Sequence, residues 1–299
     1  MNTRRIWYAV SAILIIGSLV SLAVRGLNLG IDFTGGVVIE AAFKSAPDLE
    51  AVRADLARGG FAEAQVRAFG TSRDIEIRLP PLKDQTSKEV RDGIESVLRT
   101  FDKEVEIRRV DVVGPQIGKE LQSSALLALV FTLLFIFIYV ALRFHTWRLS
   151  VGAILAALHD PILVLGVFSA TQLSFDLSVV AAVLAVIGYS LNDTVVVFDR
   201  IRERFESNRR SPSQQVLDQS INQTLSRTIM TSGTTLLVVI VLLVFGGAAL
   251  TGFAAALVVG MVVGTYSSIY VASAIALDFG LTAEHLFPTA KKSAIDDMP

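Results

Sequence analysis

Cysteine is absent from the 299 residues, which excludes disulfides and thiolate chemistry and says little about compartment. Only eight prolines are present, and no low-complexity linker stands out. Neither sign of charge is in excess. Lysine plus arginine number 27 against 28 aspartates and glutamates, a balance that points to no nucleic-acid partner. What the chain has in quantity is apolar surface: 52% of residues are hydrophobic and the mean hydropathy is +0.57. That is too apolar for an ordinary soluble chain and places it in the membrane class.

Six segments are long enough to cross a bilayer core, which takes about 20 helical residues. They are Ile6–Val24, Ser123–Leu142, Val151–Ala170, Leu177–Phe198, Thr228–Gly247 and Phe253–Leu277. The first follows Arg4 and Arg5, so a cleaved signal peptide competes with it. Its apolar stretch is longer than a usual signal core and Ser21-Leu22-Ala23 is only a fair cleavage site, so it is read as an anchor.

Arg4, Arg5, the turn Arg143–Arg148, the loop Asp199–Arg227 and Lys291–Lys292 share one side, whereas Thr171–Asp176 and Ala248–Gly252 carry no basic residue. The positive-inside rule then puts both termini in the cytoplasm and residues 25–122 across the membrane. The basic loop Arg200–Arg210 is read as topology and solvation rather than lipid recognition. Residues 278–299 form a cytoplasmic tail whose end, Lys291–Pro299, reads as disordered.

Residues 25–122 show the alternations of a soluble domain. Strands are expected at Val37–Phe43, Ala64–Phe69, Asp74–Leu79 and Val105–Val113, with helices at Pro47–Arg58 and Thr86–Phe101. The order βαββαβ is that of the ferredoxin-like arrangement. The expected fold is therefore a six-helix α-helical membrane protein with one α+β domain between its first two spans. The domain itself is read as a small rigid unit that touches a partner.

Gly188–Arg200, GYSLNDTVVVFDR, organises the chain. Asn192 and Asp193 lie inside an apolar run, where an ionisable group costs roughly 2.5–3.5 kcal/mol and usually lines a polar pathway. Tyr189, Asn192, Asp193 and Val196 fall three or four residues apart and are expected on one helical face. Hydrogen-bonding glue between helices would explain asparagine well. It explains a carboxylate badly, because both its ionised and its neutral form are penalised. This face is expected to carry protons.

Arg227 opens the fifth span, with Thr228, Thr231 and Thr235 on one stripe and Thr224 behind. An interfacial arginine is the competing reading. Asp193 lies about five residues, roughly 7.5 Å, inside the end of its own span, so Arg227 must reach inward or its helix must start deeper. Contact between the two would couple carboxylate protonation to helix position. His159-Asp160-Pro161 places a third set of polar groups in the third span, where the proline removes the backbone bond to Ala157. That motif reads equally as a structural kink and as a second proton relay.

Gly30–Gly36, GIDFTGG, lacks the lysine of a phosphate loop and reads as tight turns with Asp32 accepting from nearby amides. Ala256, Gly260, Gly264, Ser268, Ala272 and Ala276 recur every fourth residue, a packing stripe against a neighbouring span or partner subunit. No metal, cofactor or enzymatic activity is expected.

GIDFTGG, VGPQIGKEL (Val113–Leu121), AALHD (Ala156–Asp160), GYSLNDTVVVFDRIRE (Gly188–Glu203), NQTLSRTIMTSGTT (Asn222–Thr235) and SSIYVASAIAL (Ser267–Leu277) together resemble the SecD/SecF family of protein-export membrane proteins. That family falls within the resistance-nodulation-division superfamily. The motifs span nearly the whole chain in order. The resemblance implies a SecD partner with six spans of its own and a place in the bacterial inner membrane. It also implies assistance to preproteins at the SecYEG channel, driven by protons after the ATP-driven push of SecA. The carboxylate and arginine it implicates in proton passage match Asp193 and Arg227, and Pro161 is read as local variation. A small-molecule or lipid exporter half of the same superfamily would want a larger external domain. An intramembrane aspartyl protease would want Tyr-Asp and Gly-x-Gly-Asp around its two carboxylates, which Asp160 and Asp193 lack. A purely structural subunit, its polar groups serving as glue, is the remaining alternative.

Overall fold

The computed structural model describes residues 1–81, 87–144 and 146–287; the tail Lys291–Pro299 lies outside the described residues. Helix α1 (Arg4–Arg25) leads through β1 (Asn28–Leu29) and the short α2 (Ile31–Thr34) into β2 (Gly36–Ala42). Then follow α3 (Leu49–Arg58), β3 (Gln65–Phe69), β4 (Thr71–Leu79), α4 (Ser87–Phe101) and β5 (Glu106–Val113). Beyond them come α5 (Pro115–Arg143), α6 (Trp147–Thr171), β6 (Ser174–Phe175), α7 (Leu177–Ser207) and α8 (Ser213–Phe245). The chain continues through α9 (Ala248–Tyr266), a π-helical turn (Ser267–Ala272), α10 (Ser273–Asp278) and α11 (Ala283–Leu286). Among the described residues, six helical stretches are long and apolar enough to cross a membrane, the last being Ala249–Asp278.

The larger sheet has strand order β3-β4-β2-β5, with every neighbouring pair antiparallel. Alternation decides its two faces. Val37, Ile39, Ala41, Ile75, Ile77 and Leu79 turn inward and are buried with Val52 and Leu56 of α3 and Val90, Ile94 and Leu98 of α4. The opposite face carries charge. Glu40 stands directly across from Glu76, like charges that would repel if left alone. Arg67 at 2.6 Å and Arg78 at 2.7 Å hold Glu76, and Arg109 lies 3.6 Å from Glu40.

Among the spans, α6 and α7 have the most buried windows, whereas α1, α5 and α8 leave long apolar faces uncovered. The small-residue stripe packs within the chain. Ala256, Gly260, Gly264, Ser268, Ala272 and Ala276 are all buried. A methyl group on Gly260 would strike the Val186 side chain of α7, and one on Gly264 would sit 3.0 Å from Ser190 Cβ. The stripe therefore lets the last span lie against α7, the helix of Asp193.

Three helix ends differ from the expected spans. Helix α7 continues past Phe198 to Ser207, α8 begins at Ser213 rather than Thr228, and α5 begins at Pro115. The reason is amphipathic continuation. Ile201 and Phe205 on α7 and Val216, Leu217 and Ile221 on α8 keep a helical apolar stripe buried after the continuous apolar run has stopped. Hydropathy marks where oil ends, not where a helix ends. Helix α6 runs through Pro161 as one element. Strands β1 and β6, which pair in parallel as Asn28 with Ser174 and Leu29 with Phe175, were not expected from the sequence.

Candidate functional site

Asp193 lies near the middle of the 31-residue α7 and is 4% exposed. Its Oδ2 accepts from the Ser232 hydroxyl of α8 at 3.4 Å. Ser232 also takes the Tyr189 hydroxyl at 3.4 Å and the Thr265 hydroxyl of α9 at 2.8 Å. One carboxylate is thus tied through a single serine to three helices. A buried polar network of this kind is costly when half satisfied.

Asp160 on α6 is wholly buried and has three partners. His159 Nδ1 lies at 2.9 Å, the Ser267 hydroxyl donates at 2.9 Å, and the Ser190 hydroxyl of α7 donates at closer range. Among the described residues, the second ring nitrogen of His159, Nε2, is buried without a hydrogen-bond partner. Its ring stands 6.1 Å from that of Tyr266, whose hydroxyl donates to the Trp7 carbonyl at 2.8 Å and meets Ser11 of α1 at 2.8 Å. No hydrogen bond joins Asp160 to Asp193 among the described residues. Ser190 and Asp193 are one helical turn apart on α7, so both polar clusters share that helix.

The expected single polar face of α7 divides. Asp193 points into the bundle, Tyr189 is half-buried and Asn192 is exposed on the surface of this chain. Consecutive helical residues differ by 100°, which is enough to send neighbours to opposite environments. The threonine stripe of α8 divides too: Thr224 and Thr228 are buried, Thr235 is half-buried and Thr231 is exposed. Arg227 does not open its helix. It sits well inside the 33-residue α8, is exposed, and lies within electrostatic range of Asp193 without an ion pair between them among the described residues.

Sequence reasoning missed Ser232, Thr265, Ser190 and Ser267. A signal for Ser232 was present, because Thr224, Thr228 and Ser232 continue one row at intervals of four. Nothing in α9 alone singles out Thr265. Asp32 also acts differently from expectation: its Oδ2 accepts from the Leu177 amide, the first residue of α7, at 2.9 Å, not from its own glycine turn.

A family model described as "Protein export membrane protein SecD/SecF, C-terminal" matches residues 93–282, and one described as "SecD/SecF GG Motif" matches residues 20–47. The chain is 47% identical to the protein translocase subunit SecF of Vibrio alginolyticus, covering 100% of this chain and 96% of that one. It is 45% identical to the Haemophilus influenzae subunit, over 100% of this chain and 91% of that one. For the Pseudomonas aeruginosa subunit the identity is 44%, over 100% and 97%. Among solved structures, SecDF of Thermus thermophilus superposes with a TM-score of 0.83 at 39% identity, over 93% of this chain. SecDF in a super-membrane-facing form gives 0.69 at the same identity and coverage. In both cases this chain spans only 38% of the SecDF chain. The chain belongs to the SecD/SecF family of protein-export membrane proteins, on its SecF branch, and is an accessory subunit of Sec translocation.

Proposed function

We propose that the chain uses the proton gradient to assist preproteins leaving the SecYEG channel, acting with a SecD partner. The observation that carries this reading is Asp193: a carboxylate buried in mid-span, held by Ser232, with Arg227 nearby on α8. Such a group binds or releases a proton only when water or a cation reaches it, so its charge follows the helix arrangement. Each proton moving down 100 mV supplies about 2.3 kcal/mol, enough to bias a two-state element more than tenfold. Protonation of Asp193 removes its attraction to Arg227, the helices shift, and the outer domain moves to hold an emerging polypeptide. Asp160 and His159 form a second protonatable pair on the same helix bundle, and Asn192 stands at its rim.

Arg227, Asn192 and Thr231 are exposed on a chain whose neighbouring surfaces are apolar. A guanidinium facing hydrocarbon is costly, which supports a second set of spans covering that face. The six spans of a SecD partner fit this need. The unequal fit to two forms of SecDF supports movement between parts. In this reading the domain formed by residues 25–122 is ferredoxin-like and periplasmic, and the termini are cytoplasmic by the positive-inside rule.

The test is Asp193→Asn in the assembled complex. Proton-driven export should stop while the complex still assembles; unaltered export removes Asp193 from the mechanism.

A further inference from the structure

A cavity of about 930 Å³ separates the charged face of the sheet from the loops around Gln172–Ser178 and Gly247–Gly252. Its sheet wall is electrically self-contained: Arg67 and Arg78 pair with Glu76, and Arg109 pairs with Glu40 and Asp111. Charges already matched in this way keep the wall wet and leave little to hold a ligand.

A narrow seam lies beside that space. The Gly30 amide donates to the Phe175 carbonyl at 2.7 Å, and β1 pairs with β6. Asp32 accepts from the Leu177 amide at the head of α7, a capping position that a carboxylate favours. Arg78 reaches from the sheet to the Ser174 hydroxyl, to Asn28 Oδ1 at 3.4 Å and to the Leu29 carbonyl at 3.5 Å, while keeping its bond to Glu76. Beyond α2, Gly35 and Gly36 take φ of +70° and +123°, and a side chain on Gly36 would strike the Leu79 carbonyl. Only glycine lets α2 turn so directly into β2, the strand paired with both β4 and β5.

We propose that Asp32 and Arg78 are the coupling residues through which a displacement of α7 reaches the outer domain, an inference that rests on the proton-driven reading above. Helix α7 carries Asp193 at its middle and the Asp32 cap at its end, so a shift of the helix pulls α2 and, through it, β2. Arg78 makes the sheet follow the α6–α7 turn instead of hinging at the glycines. Asp32 acts through its acceptor oxygen, not through a proton of its own.

The chain has no native cysteine, so Ala68→Cys on β3 and Leu250→Cys on α9, both of which line the cavity, can carry a pair of spin labels in the full complex with its SecD partner. Imposing a proton gradient on reconstituted vesicles should change the label separation. Asp32→Ala and Arg78→Ala should abolish that change and cause loss of export, while Asp193-dependent proton flux persists. Asp32→Asn, which keeps a carbonyl acceptor, should restore both. An unchanged gradient response in Asp32→Ala would overturn the proposal, as would an Asp32→Asn protein as defective as Asp32→Ala, or a native complex with no gradient response. If Asp193→Asn instead leaves flux and the label response intact, the proton reading fails. The seam is then judged separately, by whether Asp32→Ala still stops the response.

Discussion

The Ser232 hydroxyl of α8 lies 3.4 Å from Asp193 Oδ2 of α7, and it is the only described side chain that hydrogen-bonds this buried carboxylate. Because Thr265 and Tyr189 both converge on the same oxygen, the serine sets how α7, α8 and α9 stand around the charge.

Ser232→Ala should therefore impair export without unfolding the chain. A side-chain hydrogen bond nets about 0.5–1.5 kcal/mol, so proton-driven export should slow roughly two- to tenfold. Ser232→Thr, which keeps the hydroxyl, should fall between the alanine variant and the native protein. Preprotein uptake into energised vesicles checks this. Equal rates for all three would remove Ser232 from the mechanism.

Asp160→Ala strands the Ser190 hydroxyl and a ring nitrogen of His159 in a sealed site, while Ser267 keeps only its bond to the Gly264 carbonyl at 3.2 Å. Thermal unfolding in detergent should show a loss of roughly 3–5 kcal/mol. Asp160→Asn keeps one acceptor and should lose far less. A stable alanine variant would mean that water enters this part of the bundle.

Arg227 behaves oppositely. It is exposed on this chain, so Arg227→Ala should alter stability by less than about 0.5 kcal/mol. Proton-driven export should nonetheless be lost. The two measurements together separate a functional cation from an interfacial one.

Gly260→Leu should wedge the last span away from Val186 of α7. Overpacking of this kind costs about 1–3 kcal/mol. The check is the melting temperature of the purified chain, with Thr231→Leu on the exposed side of α8 as the contrast expected to remain near the native value.

Burial lifts the Glu40 carboxyl above its ordinary range; Glu76 and Asp111 add to the lift, and Arg109 and Arg108 oppose it. The folded value thus exceeds the unfolded one. Its contribution to stability is complete below the ordinary carboxylate range, and it fades as pH rises through the raised value. Glu40→Gln should flatten the melting profile just above the ordinary carboxylate range and change neutral-pH stability by under about 1 kcal/mol. An unaltered profile would assign the slope to other groups.

Much of the architecture was legible along the chain. Val37, Ile39 and Ala41 alternate as a half-buried strand must, and all three are core. The spans announced themselves because no soluble fold accommodates so many apolar residues in runs. Their ends did not, because Ile201 and Phe205 prolong α7 by periodicity rather than by density. Strands β1 and β6 are two residues each and exist only because distant segments meet, so no local pattern could reveal them.

The candidate site divides along the same line. The sequence pattern put Asp193, Asp160 and His159 inside apolar runs, with apolar neighbours on both sides, and Arg227 at the start of one. Which way each side chain turned was a different matter. A helix rotates 100° per residue, and only the packing of α6, α8 and α9 around α7 decided that Asp193 faces inward, that Asn192 faces outward and that Ser232 and Thr265 arrive from two other helices to meet at one point.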